Sequence, residues 1–210
     1  MKTIIRYAYL SEWPADQLID FFPYLSVKDQ EKNRKYYREV NRNQHLMGRM
    51  LLADLLQHQG LPGNELIKEL NVKQKPHLPN TDICFNISHS EDLVICAICD
   101  HEVGIDVERI NHSVDFNDFG STMNATQWQV IHQSDDPPKA FFDFWAAKES
   151  LIKADGRGLA IPLEEIEVYS DYGTIDDTRW ELTPISLTTD YACCLAGESL
   201  GEVSVTKLLP

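Results

Sequence analysis

The chain has 210 residues, a length that one large domain or two small ones can account for. Hydrophobic residues make up 43% of it and charged residues 25%, as in ordinary globular proteins. The formal net charge of −14 argues against bulk attraction to nucleic acid or to anionic membranes, so neither is predicted as a partner. No apolar stretch approaches the roughly 20 residues of a membrane span, and Arg6 interrupts the apolar residues at the start. The short apolar stretches and the odd number of cysteines together predict a cytoplasmic protein without a signal peptide.

Helical and extended patterns alternate along the chain. Helices are predicted at residues 16–22, 28–59 (with a break near 41–43), 125–132 and 139–154. Strands are predicted at residues 82–87, 92–99, 103–108, 166–169, 180–185, 190–195 and 202–208. A polar turn, Ser88 to Glu91, is predicted between the first two strands. The second strand is apolar throughout, so its C-x-x-C pair, Cys96 and Cys99, is predicted to be buried core and not a redox or zinc site.

The two halves of the chain resemble one another. Each has a long helix, then a Gly-Leu near a Pro, then an Ile-bearing strand: Gly60-Leu61-Pro62 precedes Leu66-Ile67, and Gly158-Leu159 with Pro162 precedes Ile166. A Cys-bearing strand, a Gly and a closing strand follow in both. This predicts two similar α+β lobes. Only the closing strand after Gly104 carries an acidic pair, so the chemistry is expected on one side of the repeat.

Positive charge is concentrated in one segment. Residues 28–49 hold seven basic and three acidic side chains, a net charge of +4 that leaves −18 for the rest. The basic residues are Lys28, Lys32, Arg34, Lys35, Arg38, Arg42 and Arg49. A basic segment on an acidic protein indicates a small polyanionic ligand. The alternative is a solvated helix face with ion pairs, the usual fate of a charge run.

Two carboxylates share one face of the strand Gly104-Ile105-Asp106-Val107-Glu108. Residues two apart on a strand point the same way, so Asp106 and Glu108 project together. A hard cation such as Mg²⁺ would suit such a pair, because Mg²⁺ is usually held by one or two carboxylates plus waters and substrate phosphates. The alternative is a solvent-facing strand edge on which Arg109 pairs locally.

A helical segment supplies a third carboxylate. Trp145, Glu149 and Lys153 fall on one helix face, so Glu149 could complete a metal site and Lys153 could reach a phosphate bound there. The alternative is a helical Glu–Lys pair worth only ~0.2–0.5 kcal/mol, with Trp145 packed in the core.

A third polar segment, Phe85-Asn86-Ile87-Ser88-His89-Ser90, ends a strand. Its hydroxyl and imidazole groups are suitable hydrogen-bond donors to a bound phosphate. A Ser–His nucleophile pair is disfavoured, because adjacent residues rarely orient as nucleophile and base and the chain has no G-x-S-x-G elbow. A zinc site is disfavoured because no second metal-ligand pattern supports His89.

These segments occur in the order and spacing of the 4′-phosphopantetheinyl transferases. The chain resembles the larger, Sfp-like (surfactin-type) enzymes that activate nonribosomal peptide and polyketide synthases. The matching motifs are Phe85 to Ser90, Gly104 to Glu108, and Trp145-x-x-Lys148-Glu149-Ser150-x-x-Lys153 with Gly156-x-Gly158-Leu159. Lys75-Pro76 matches the end of a further motif, Gly-Lys-Pro, in which Gln74 replaces the Gly. The resemblance is strong over residues 28–160.

The resemblance implies a fold and a set of ligands. The fold is α+β, with subdomains at residues 1–103 and 104–210 related by a pseudo-two-fold and the active site in the cleft between them. Asp106, Glu108 and Glu149 would bind Mg²⁺, or Mn²⁺, which the same donors suit. Lys153 and Ser88 would hold the pyrophosphate of coenzyme A. The residues implied for the adenosine 3′-phosphate are Lys32, Lys35, Arg49 and His89, with Lys75 lining the nucleotide site.

The implied reaction is attack of a serine hydroxyl of an apo carrier protein on the β-phosphorus of coenzyme A, which releases 3′,5′-ADP. Mg²⁺ and Lys153 would neutralise the charge that builds up, and Glu149, directly or through a metal-bound water, would take the serine proton. Residues 114–123, with Phe116, Phe119 and Met123, are either a hydrophobic dock for a carrier helix or ordinary core. An internal two-lobe repeat predicts a monomer.

Two other functions fit parts of the pattern. One is a binding module that holds coenzyme A or a carrier domain without catalysis, which the loss of a metal ligand or of Lys153 would mark; none of these residues is missing from the motifs. The other is a different metal-dependent phosphate enzyme, such as a pyrophosphatase. Formation of phosphopantetheinyl-protein, and not free phosphate, would distinguish these cases.

Overall fold

The structure, a computed structural model, describes residues 2–68 and 75–210. The chain divides into two compact units, Met1–His101 with Leu200–Pro210 and Glu102–Ser199. Both combine helices with a mostly antiparallel sheet, which confirms the predicted α+β class. None of the helices in the described ranges is long and apolar enough to cross a membrane.

The first unit contains a four-stranded sheet with the order β2-β3-β1-β9. Its strands are β1 (Lys2–Tyr9), β2 (Cys84–Ser90), β3 (Leu93–Cys99) and β9 (Glu202–Lys207). β1 pairs antiparallel with β3 and parallel with β9, so the last strand of the chain returns beside the first. Every residue of β3 is buried, which confirms the predicted core role of Cys96 and Cys99.

A long helix covers one face of this sheet. The helices of the unit are α1 (Ala15–Phe21), α2 (Val27–Lys35), α3 (Glu39–His58) and α4 (Gly63–Lys68). Leucines at helical spacing on α3, such as Leu52 and Leu56, form the core with Phe85 and Val94 of the sheet. Gly48 lets α3 approach β2 closely, because a Cβ there would lie 2.8 Å from Ile87 Cγ2.

The predicted helix break near 41–43 is wrong in position. α2 ends at Lys35, and α3 begins after Arg38, whose backbone is extended. The Arg42 guanidinium, one turn inside α3, donates to Tyr36 O at 2.9 Å and so stabilises the end of α2. The low helix propensity of Asn41 and Asn43 is overridden by the packing of the apolar face of α3.

The predicted turn at 88–91 is also wrong, because β2 continues through Ser90. Ser88 to Ser90 pair with Ile95 to Leu93, and only Glu91 and Asp92 form the turn. Glu91 adopts a left-handed conformation, with φ 50°, which closes the tight hairpin. Pairing with the buried strand β3 therefore outweighs the turn preference of these polar residues. In addition, the expected strand at Leu66-Ile67 is the helix α4.

The second unit contains a five-stranded sheet with the order β4-β8-β7-β6-β5. Its strands are β4 (Val103–Arg109), β5 (Glu167–Val168), β6 (Tyr172–Ile175), β7 (Thr178–Pro184) and β8 (Tyr191–Gly197). The helices α5 (Ala125–Gln133) and α6 (Pro137–Asp155) match their predicted positions to within two residues. α6 packs on β4 and β8, and Gly156 ends it with φ 85°.

The two units share a local order of elements. In each, the first strand pairs antiparallel with the last strand of a hairpin, β1 with β3 and β4 with β8. In each, the long helix, α3 or α6, packs on that pair. This order supports the internal repeat, while the pseudo-two-fold relation stays a prediction.

Residues 114–123 are part of a packed aromatic cluster. Phe116 and Phe119 contact Phe141 with ring centroids 5.5 and 5.1 Å apart, and Met123 is 3% exposed. Trp145 packs on the same cluster, 5.7 Å from Phe119. The structure therefore shows that this segment packs on the aromatic cluster, with Phe116 and Phe119 still partly exposed, and a docking role for it stays a prediction.

Candidate functional site

An ion pair joins β4 to α6 in the second unit. Lys153 Nζ lies 2.6 Å from Asp106 Oδ1 and also donates to Ile105 O at 3.3 Å. The Asp106 side chain is 4% exposed and that of Lys153 27%. Gly104 makes this approach possible, because a Cβ there would overlap the backbone of Ser150 and Ala154. The absence of a side chain at 104 thus brings α6 against the strand that carries Asp106.

Glu149 lies one helical turn before Lys153. Burial raises the pKa of its carboxyl above the usual value, the negative charge of Asp106 raises it further, and Lys153 partly offsets the rise. Two carboxylates therefore repel one another beside a single lysine. Such a group can accept a proton or share a cation.

The predicted metal site, with Asp106, Glu108 and Glu149 as ligands, stays a prediction. Asp106 and Glu149 supply hard oxygen donors that interact electrostatically, which fits a Mg²⁺ ion held by two carboxylates and substrate phosphates. Glu108 is on the same face of β4 and is half-buried. Within the described residues, no three acidic, histidine or cysteine side chains gather closely enough to hold a metal ion. Glu108 as a third ligand stays a prediction.

The first unit has a polar cavity of about 190 Å³ between α2, α3 and β2. Three of the residues predicted to bind phosphate, Lys32, Arg49 and His89, line it. The other residues that line it are Tyr36, Gln44, His45, Gly48, Pro76, Phe85, Asn86 and Ile87. The structure thus gathers cationic side chains from α2 and α3 together with the imidazole of His89 from β2.

Other predicted ligands are placed elsewhere in the first unit. Ser88 is 5% exposed and points to the face of β2 opposite His89. Lys35 is exposed at the end of α2, and Lys75 is half-buried beside Pro76, which does line the cavity. Position 74, where Gln replaces the family Gly, lies outside the described residues.

Arg49 is buried against an acidic residue that the sequence did not single out. Its Nε donates to Asp29 Oδ2 at 2.9 Å and its Nη2 to Oδ1 at 3.3 Å. The Asp29 side chain has no exposed surface, and its hydrogen bonds to His45 and Arg49 hold the pKa of its carboxyl below the usual range despite burial. A signal was present, since Asp29 and Asn33 on α2, and His45 and Arg49 on α3, are both spaced four residues apart on one helix face.

Comparison with known proteins identifies the family. The family model described as the 4′-phosphopantetheinyl transferase superfamily matches residues 102–196. The 4′-phosphopantetheinyl transferase gsp of Aneurinibacillus migulanus is 31% identical over 201 residues, which cover 89% of this chain and 84% of the relative. The chain belongs to the 4′-phosphopantetheinyl transferase superfamily. The resemblance inferred from the motifs is therefore confirmed.

Further relatives extend the match within this superfamily. The 4′-phosphopantetheinyl transferase Sfp of Bacillus subtilis (strain 168) is 30% identical, with 70% of this chain and 67% of the relative covered. The 4′-phosphopantetheinyl transferase HetI of Nostoc sp. is 28% identical, with 74% of this chain and 69% of the relative covered. The chain is thus similar to transferases of the larger, Sfp-like type.

In this phosphopantetheinyl transferase, Lys148 has a structural role that its place in the sequence motif did not reveal. Its side chain is buried, and Nζ donates to Thr122 O at 2.9 Å and to Leu163 O at 2.7 Å. It ties the segments before α5 and after α6 to the helix that carries Glu149. Burial lowers the pKa of Lys148 from 10.5 to about 8.

We expect the free energy of unfolding of the wild type to rise with pH relative to Lys148→Met. Between pH 8 and the unfolded-state value of 10.5, the unfolded chain binds more protons at this lysine than the folded one. Between these two pH values the free energy of unfolding of the wild type rises by about 1 kcal/mol per pH unit relative to that of Lys148→Met. Denaturant unfolding of both proteins at pH 7, 8, 9 and 9.5 measures it. Lys139→Met removes an exposed lysine of the same helix, and the difference in the free energy of unfolding between it and the wild type should not change with pH. A difference between wild type and Lys148→Met that stays constant with pH would contradict the assignment.

Proposed function

We propose that this protein transfers the 4′-phosphopantetheine group of coenzyme A to a serine of an apo carrier protein and releases 3′,5′-ADP. The observation that carries the proposal is the buried Asp106–Lys153 pair with Glu149 beside it, in a chain of this superfamily. The relatives named above are phosphopantetheinyl transferases by name, and the motif residues that match the family coincide with this group.

The reacting groups follow from the bond that breaks. The serine oxygen forms a bond to the β-phosphorus, the pyrophosphate P–O bond breaks, and the electron pair leaves with 3′,5′-ADP. Glu149, beside Asp106 and one helical turn before Lys153, accepts the serine proton directly or through a metal-bound water. Lys153 donates to the pyrophosphate oxygens and neutralises the charge that develops there.

A divalent cation fits the same group. Mg²⁺, or Mn²⁺, would neutralise charge on the pyrophosphate, with Asp106 and Glu149 as its ligands and Glu108 as a third. Asp106 has a second effect, because its charge raises the pKa of Glu149. The Asp106 carboxylate thus both pairs with Lys153 and, in the absence of a metal ion, raises the pKa of Glu149.

The first unit would bind the nucleotide end of coenzyme A. Lys32, Arg49 and His89, which line the polar cavity, would hold the 3′-phosphate of the adenosine, together with Lys35 from the exposed end of α2. Lys75 would line the nucleotide site, as its neighbour Pro76 lines the cavity. Ser88 would bind the pyrophosphate.

The carrier proteins we propose belong to nonribosomal peptide or polyketide biosynthesis, the targets of the Sfp-like type that the chain resembles. We also propose that the enzyme acts as a monomer in the cytoplasm. The five cysteines are all free thiols, which suits a reducing compartment. The repeated order of elements in the two units supports a site built by one chain.

The test is the intact mass of apo carrier proteins after incubation with this protein, coenzyme A and Mg²⁺. The expected result is a mass gain of one phosphopantetheine group on the carrier, abolished by EDTA. Fatty-acid, polyketide and peptidyl carriers are assayed in parallel to identify the acceptor. Binding of coenzyme A without a mass gain on any of them would indicate a binding module instead.

A further inference from the structure

A chain of hydrogen-bonded side chains lies at the polar cavity of the first unit. Both oxygens of the buried Asp29 accept bonds from α3: Oδ2 from Arg49 Nε, and Oδ1 from Arg49 Nη2 and His45 Nε2, the last at 3.2 Å. Asn33, one turn after Asp29 on α2, completes the chain at the other nitrogen of the His45 ring. Two helices are therefore joined by four side chains, of which two, His45 and Arg49, face the cavity.

The tautomer of His45 follows from these contacts. Asn33 Nδ2 donates to Arg42 O at 2.9 Å, and because a carbonyl oxygen only accepts, this fixes the orientation of the amide. The same Nδ2 lies 3.2 Å from His45 Nδ1, which must then accept. The proton of the neutral ring is on Nε2 and is donated to Asp29. Burial also lowers the pKa of His45, which favours the neutral ring.

The guanidinium of Arg49 is oriented by this chain. Two of its five N–H groups donate to Asp29, and within the described residues the other three have no hydrogen-bond acceptor and can bind a ligand. A free arginine side chain samples many rotamers, whereas a bidentate pair holds the planar group in one orientation. The charge of Asp29 balances that of Arg49, so burial of the guanidinium does not leave an isolated charge.

We propose that Asp29 and His45 are positioning residues that aim Arg49 at the 3′-phosphate of coenzyme A. Neither residue touches the substrate in this assignment, which rests on the proposed function of the protein. The enzyme then distinguishes coenzyme A from dephospho-coenzyme A, which lacks this phosphate, by the geometry of one guanidinium as well as by net positive charge.

The test compares KM for coenzyme A and for dephospho-coenzyme A in the wild type and in Asp29→Asn. Asparagine is uncharged and has one acceptor oxygen where aspartate has two, so in either orientation of the amide its NH2 group faces an N–H of Arg49 and the bidentate pair is lost. We expect KM for coenzyme A to rise about tenfold, as loss of a charge-assisted hydrogen bond does, with kcat little changed. KM for dephospho-coenzyme A should stay the same. Equal increases in both KM values, or no change in either, would overturn the proposal.

A matched control removes another Arg–Asp pair of the same unit. Arg6 Nε donates to Asp54 Oδ2 at 2.8 Å, away from the lining of the cavity, so Asp54→Asn should leave the ratio of the two KM values unchanged. If Asp29→Asn does not fold, His45→Phe serves as the second variant. It keeps the Asp29–Arg49 pair but removes both ring nitrogens, and it should shift the ratio in the same direction by a few-fold. An unchanged ratio in folded His45→Phe would then overturn the proposal.

Nucleotide binding separates this inference from the proposed function. The wild type should bind 3′,5′-ADP more tightly than AMP by calorimetry, and Asp29→Asn should lose that preference. If no carrier is modified but this preference is present and lost in the variant, the proposed function fails and the positioning role stands. If the wild type modifies a carrier but does not distinguish the two nucleotides, the positioning role fails alone.

Discussion

Glu149→Gln is expected to reduce the rate of phosphopantetheine transfer by about 10²–10⁴-fold, the range that a positioned general base contributes. Glutamine keeps the size of the side chain but can neither take the serine proton nor act as an anionic metal ligand. The measurement is kcat/KM on a carrier identified by intact mass. Asp143→Asn, which removes an exposed carboxylate of the same helix, is the control and should retain full activity.

The effect of Glu149→Gln on stability separates catalysis from folding. The folded-state pKa of Glu149 is raised, so the charged form of this side chain destabilises the folded protein. Its contribution to the free energy of unfolding therefore falls as the pH rises from the unfolded-state pKa to the folded-state pKa. Removing the charge beside Asp106 should leave the free energy of unfolding at pH 7 equal or higher. An inactive variant that is also clearly less stable would indicate a structural role instead of a catalytic one.

The pH profile gives an independent check on Glu149. A general base must be ionised, so wild-type kcat should fall on acidification as the carboxylate of Glu149 becomes protonated. The residual activity of Glu149→Gln should lack this acidic limb. An acidic limb that is the same in both proteins would assign the titration to another group.

Local patterns predicted the parts of the site that depend on one element. The helical spacing of Glu149 and Lys153 and the strand alternation at Asp106 placed these residues on defined faces, and the structure shows Lys153 bonded to Asp106 across 47 residues of sequence. The partner itself could not be read from spacing, because it depends on how α6 packs against β4. The hydrogen-bond acceptors of Lys148 could likewise not be predicted from the sequence, because the two carbonyl groups lie 26 and 15 residues away.

Burial was the property that sequence reasoning judged least well. Asp29 was counted as one of three acidic residues in a basic segment, whereas it has no exposed surface and organises Arg49 and His45. The polar residues Ser88 to Ser90 predicted a turn, although pairing with β3 extends the strand through them. Asp29 is satisfied by partners 16 and 20 residues away, and Ser88 to Ser90 by pairing with the buried neighbour strand β3, and local propensity carries no information about either.

Gly104→Ala is expected to lower both stability and activity, because Gly104 sets the distance between β4 and α6. A Cβ at this position would overlap Ser150 O and Ala154 N, and would lie 2.9 Å from Lys153 C. All three are backbone atoms of α6 and cannot rotate away, so the strand and the helix must separate. Overpacking of this kind costs about 1–3 kcal/mol, which denaturant unfolding would measure.

The same displacement should weaken catalysis more than the loss of stability alone explains. Asp106 is two residues along β4 from Gly104. Its 2.6 Å hydrogen bond to Lys153 joins β4 to α6, the two elements that the new methyl group would push apart. We therefore expect kcat/KM of the folded Gly104→Ala protein to fall about tenfold or more, since misplacement by about 1 Å can cost that much or more. Gly120→Ala is the matched control, because a Cβ there meets no atom within 4 Å. A Gly104→Ala protein with wild-type stability and activity would mean that the approach of α6 to β4 does not position the Asp106–Lys153 pair for the proposed reaction.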